Sequence, residues 1–99
     1  MKIPKTLKIG GFIWKIVYNQ DVNTGSATFG QTHYRTQKLF IAPESSQQKQ
    51  EQALIHEILH AIFWQNALTE TFKNEQEEQI VASLSMGLYQ VLKDNHLLR

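Results

Sequence analysis

The spacing of apolar residues changes once along this chain, at Pro43, and that change bounds the fold. Before it, Phe12, Trp14, Ile16 and Tyr18 alternate, as on one side of an extended strand. After it, Ala53, Leu54, Ile55, Ile58, Leu59, Ile62 and Phe63 recur at three- and four-residue spacing, as on one face of a helix. Strands first and helices second make an α+β fold, and the 99 residues suffice for one domain spanning 1–99. A core of that size leaves little surplus stability.

Turn residues divide the strand half. Gly10-Gly11 lies between Leu7–Ile9 and Phe12–Tyr18, and a Gly-Gly pair between β-prone runs predicts a two-residue hairpin. A polar loop is expected over Asn19–Ser26, then strands over Thr28–Tyr34 and Lys38–Ala42, joined near Arg35-Thr36-Gln37. The sum is a small antiparallel or mixed twisted sheet of about four strands. In the helical half, Ser45 with Gln48 predicts a capping box, starting a helix near Ser46 that ends near Asn66. A polar connection, Thr69–Lys73, leads to a second main helix, opened by Asn74 with Glu77 and closed at Asp94-Asn95. Ile80, Val81, Leu84, Leu88, Val91 and Leu92 are expected to form its buried face.

The chain has no cysteine, which excludes disulfides, thiolate metal sites and cysteine nucleophiles together. A net charge of +1 provides no strong field for nucleic acid or an acidic membrane. No run approaches the roughly 18 apolar residues of a membrane span, and none of signal-peptide length follows the basic start. The expectation is a soluble protein of the cytoplasm, with no nucleic-acid or membrane partner.

His56-Glu57-Ile58-Leu59-His60 falls inside the first expected helix. Residues four apart stand on one helical face, so His56 and His60 can aim two imidazoles at one zinc ion. Glu57 lies off that axis, beside the position where a general base would take a proton from water. A catalytic zinc needs a third protein ligand. A longer motif with glycine and histidine at 63 and 66 is absent, since Phe63 and Asn66 stand there. His33, His96 and the acidic residues Glu75, Glu77 and Glu78 remain. Glu78 stands above Val81, Ala82 and Ser85, whose small side chains let another helix approach, and this favours it over Glu77; Glu75 comes third, near a fraying end. Glu77 has a competing use as the capping-box residue. His96 reads as a partner of the helix C-terminus. His33 reads as ordinary strand surface, although His33 or Tyr34 near a cleft would be placed to hydrogen-bond a tetrahedral intermediate.

With HEILH on one helix and Glu77-Glu78-Gln79-Ile80-Val81 opening the next, the chain resembles the minimal gluzincins. It is especially similar to short single-domain HExxH proteins encoded by phages and prophages. The tail Gly87–Asn95 and the strand-first layout extend the resemblance over most of the chain. It implies a zincin-like sheet packed on the active-site helix, with Zn²⁺ on His56, His60 and Glu78 and Glu57 as catalytic base. It also implies a metallopeptidase, an endopeptidase that takes peptide or protein substrate in extended conformation. The sequence departs from thermolysin-like gluzincins in one respect: the aspartate expected four residues after the ligand glutamate is replaced by Ala82, or by Val81 counted from Glu77. The partner orienting a zinc-bound histidine must then come from elsewhere, such as a backbone carbonyl. The competing reading is a metal-stabilised interaction or regulatory domain with little turnover, in which zinc clips two helices together. A purely structural site has no use for Glu57.

Overall fold

A computed structural model describes residues 1–19 and 30–98. The expected loop beyond Asn19, and Thr28 and Phe29 of the third expected strand, lie outside the described residues. Strand β1 (Thr6–Ile9) turns through Gly10 and Gly11 into β2 (Phe12–Tyr18). Both glycines have positive φ, 58° and 85°, as a primed two-residue turn requires. Strands β3 (Gly30–His33) and β4 (Lys38–Ile41) complete a four-stranded sheet of order β1-β2-β4-β3. β2 and β4 run parallel and the other pairs antiparallel, so the sheet is mixed and β3 is an edge.

The inward side chains of β2 and β4, Trp14, Ile16, Leu39 and Ile41, form the core with Ile9, Leu54 and Ala61. Phe12 and Tyr18 share the inward parity but sit exposed at the ends of β2. Helix α1 (Gln47–Gln65) covers the sheet. Its cap is Ser46, whose hydroxyl accepts from Lys49 N–H, and not the expected Ser45. The Ser45 hydroxyl instead donates to the Ala42 carbonyl, closing the turn behind β4. The far end of α1 is fastened to the hairpin by Gln65, which accepts from the Trp14 indole (2.7 Å) and donates to the Ile9 carbonyl (2.8 Å). A single helical turn, α2 (Leu68–Thr71), follows where only a polar connection is expected.

Helix α3 (Asn74–Asp94) starts as expected, but Gln76 closes the first turn by accepting from Lys73 N–H. Glu77 is thereby released from the expected capping box. The buried face also differs from expectation: Glu77, Val81 and Ser85 turn inward, while Leu84, Leu88 and Val91 are 53%, 43% and 47% exposed. α3 packs chiefly on α1, and one neighbouring helix covers only a narrow stripe.

Near the start of α1, buried Glu51 accepts from the Tyr89 hydroxyl (2.7 Å), the Gln47 amide (3.1 Å) and the Met1 amino group (3.3 Å). Burial works against its charge, but these hydrogen bonds outweigh it and hold the carboxyl below its usual range. A depressed carboxylate adds stability above its unfolded pKa near 4.5, and that stability disappears as pH falls through the folded value. Glu51→Gln is therefore expected to lower stability at neutral pH and to converge with the wild type in acid. Denaturant titrations across that range test this, and a constant difference would contradict it.

Candidate functional site

The inward faces of α1 and α3 meet at the motif. His56 and His60, one turn apart on α1, have ring centroids 5.0 Å apart. Glu78 reaches across from the first turns of α3, with Oε1 2.9 Å from His56 Nε2 and Oε2 2.8 Å from His60 Nε2. One ligand atom from each of the three residues lies within 4.8 Å of the others. Donors around one tetrahedral zinc, at bonds of about 2.0–2.1 Å, stand roughly 3.4 Å apart, so side-chain adjustments suffice to seat an ion. Two imidazoles and a carboxylate are also donors that suit zinc.

The adjacent glutamate serves a different contact. Glu77 is 5% exposed, and its Oε2 lies 2.6 Å from His60 Nδ1, on the far side of the ring from Glu78. On His56, Nδ1 lies 3.5 Å from the buried Ser85 hydroxyl, which itself donates to the Ala82 carbonyl at 3.0 Å. An Nδ1 proton on each ring would point at Glu77 or Ser85 and leave both Nε2 lone pairs facing the Glu78 oxygens. Lone pairs on facing atoms repel unless a cation or proton lies between them. Burial also lowers the His56 pKa, with the His60 charge adding to the effect and Glu78 opposing it. The neutral imidazole so favoured is the form that ligates metal.

Glu57 leans the other way, towards the sheet. It is 6% exposed and accepts from the Thr32 hydroxyl of β3 at 2.8 Å. Burial pushes its pKa up to about 7, with the Glu78 charge adding to this and Thr32 and His60 opposing. A carboxyl balanced there can both take and return a proton at neutral pH. Gly30 makes this position possible: a Cβ there would stand 2.9 Å from Glu57 Oε2, 3.0 Å from its Cγ and 3.1 Å from the Phe40 carbonyl. Gly30→Ala is expected to destabilise the metal-free protein by about 1–3 kcal/mol, since the Phe40 backbone cannot yield. Denaturant unfolding measures this, and unchanged stability would show that Glu57 has room to spare.

These groups line a cleft of about 760 Å³ between α1 and the β3 edge. Tyr34, just past β3, lines it too and stacks on Trp64 (centroids 5.3 Å apart). Burial first, then the charges of Glu77, Glu57 and Glu78, pushes the Tyr34 pKa up to about 12, so its hydroxyl stays a donor. His33 does not join the site. It lies exposed beside Gln31 (3.0 Å) and against Phe40, a residue of the opposite sheet face. Neither His96 nor Glu75 belongs to the gathered ligand group.

Comparison with protein-family models, curated proteins and solved structures finds no match.

The site therefore rests on its own geometry. Gly30 and Thr32 carry no sequence signal as site residues, because the register that sets them against Glu57 is a tertiary fact. Ser85 is visible in the sequence only as a small neighbour of the acidic pair.

Proposed function

We propose that the chain is a zinc-dependent hydrolase of peptide bonds, with His56, His60 and Glu78 as metal ligands and Glu57 as general base. The observation that carries this is the facing of two Nε2 atoms and one carboxylate in the same cleft as the buried carboxyl of Glu57. A structural clip between helices would use the first feature and gain nothing from the second.

His56, His60 and Glu78 would hold the zinc ion, which when bound would polarise a carbonyl and acidify water. Glu77 and Ser85 orient the two imidazoles from behind, so the Nε2 atoms stay turned to the metal position. Glu57 takes the proton of the attacking water and returns it to the departing nitrogen. Tyr34 offers a hydroxyl donor from the cleft wall to the oxygen on which charge develops. The outer edge of β3 presents main-chain groups to a polypeptide in extended conformation, the ordinary way a free strand binds one.

The test is hydrolysis of an unstructured protein such as casein by the zinc-loaded chain, before and after zinc is removed by a chelator. Cleavage that stops on chelation and returns with zinc supports the reading. Zinc uptake without any cleavage would favour the metal-stabilised interaction domain.

A further inference from the structure

The net charge of +1 conceals a division within the chain. Residues 1–43 hold six Lys and Arg against one Asp, whereas residues 44–99 hold four against eight Asp and Glu. The sheet register concentrates the positive part. Because Trp14, Ile16, Leu39 and Ile41 turn towards α1, Ile13, Lys15, Lys38 and Phe40 turn to the opposite face. On that face Lys15 stands beside Lys38, which stands beside His33, in one row across three strands. Lys8, paired with Ile13, lies next to the row, and Arg35 follows β3. Among the described residues none of Lys8, Lys15, Arg35 and Lys38 forms an ion pair. Like charges side by side on neighbouring strands cost stability unless an anion lies across them.

This face is joined to the cleft. A groove of about 350 Å³ runs past His33 and Arg35 and shares Gln31, Thr32 and Tyr34 with the cleft wall. A chain leaving the cleft over the β3 edge passes Arg35 and His33, and His33 pairs with Lys38, the neighbour of Lys15. We propose that the polypeptide entering the cleft carries an acidic segment, held on the sheet face opposite α1 by Arg35, Lys38 and Lys15. This rests on the hydrolase reading above and names the substrate class for it. Single-stranded nucleic acid fits less well. Its charge is uniform, and the cleft end of the path is walled by Glu57 and Glu78. A polypeptide can be acidic where it crosses the lysines and neutral where it meets the glutamates.

The experiment measures binding to the zinc-loaded protein by fluorescence anisotropy. The probes are a labelled Glu-rich peptide, its counterpart with Gln at every Glu, and oligothymidylate of matched length. The Glu-rich peptide is expected to bind about tenfold tighter than its Gln counterpart, with the difference shrinking as salt is raised. Lys15→Gln with Lys38→Gln should reduce that preference to within about twofold and leave zinc affinity unchanged, which also reports that the variant is folded. Equal binding of the two peptides, an unchanged preference in the double variant, or binding of oligothymidylate alone would each overturn the proposal. A charge preference in a chain that takes up no zinc would sink the hydrolase reading alone. Zinc-dependent cleavage without a charge preference would sink only this one.

Discussion

Glu57→Gln is expected to cost about two to four orders of magnitude in peptide hydrolysis while one zinc per chain remains bound. The amide fills the same volume and still accepts from the Thr32 hydroxyl, so the cleft keeps its shape. What is lost is the proton acceptor. The same variant should be more stable than the wild type in the metal-free state at pH 8. A pKa raised from 4.5 to about 7 means that the fold disfavours the charged carboxylate. The contribution of Glu57 to stability then falls as pH rises from about 4.5 to about 7, by up to roughly 3 kcal/mol, and is level above that. The variant lacks this fall, so its advantage opens across that window and is absent in acid. Turnover kinetics and denaturant titrations at several pH values measure the two effects separately. Lost turnover with no gain in stability would mean that Glu57 is better solvated than its burial indicates.

Removing the two adjacent glutamates in turn should give unequal losses of zinc affinity. Glu78 Oε1 and Oε2 face both Nε2 atoms, so Glu78→Gln removes a ligand and should weaken binding by more than about a hundredfold. Among the described residues the Glu77 carboxylate bonds only His60 Nδ1, so Glu77→Gln removes an orienting partner and should weaken binding by about tenfold to a hundredfold. Competition against a chromophoric chelator at fixed pH ranks them. The reverse order would make Glu77 the ligand and Glu78 its support. Equal and negligible losses would mean that the metal is not held between these helices at all.

Several sequence expectations misplace a feature by one residue or assign it to the wrong face, and the causes are physical. The first cap moves from Ser45 to Ser46 because Ser45 is needed by the Ala42 carbonyl at the strand exit. At α3 the cap contact moves to Lys73 and Gln76, which leaves Glu77 free to turn inward towards His60. Leu84, Leu88 and Val91 satisfy helical periodicity and still face out, because periodicity identifies an apolar stripe without saying whether a neighbour covers it. With Ala82 or Val81 in the aspartate's place, the histidine's partner is expected from elsewhere, such as a backbone carbonyl; at His60 Nδ1 it is Glu77, the residue preceding the proposed ligand. Two consecutive helical residues point about 100° apart, which allows Glu77 and Glu78 to reach opposite nitrogens of one ring.

Local chemistry in the sequence determined the elements that local rules govern. The Gly10-Gly11 turn, the α+β order divided at Pro43, and the helix carrying His56, Glu57 and His60 at one-turn spacing all follow from contacts between near neighbours in the chain. Only the tertiary structure decided what stands opposite them. The parallel pairing of β2 with β4 leaves β3 as the edge beside the cleft, and the register there places Gly30 and Thr32 against Glu57. The crossing of α3 over α1 divides two neighbouring glutamates between His60 Nδ1 and the facing Nε2 atoms. A carboxyl pKa near 7, like the lysine row on the opposite sheet face, depends on burial and pairing among residues distant in sequence, which periodicity and spacing do not encode.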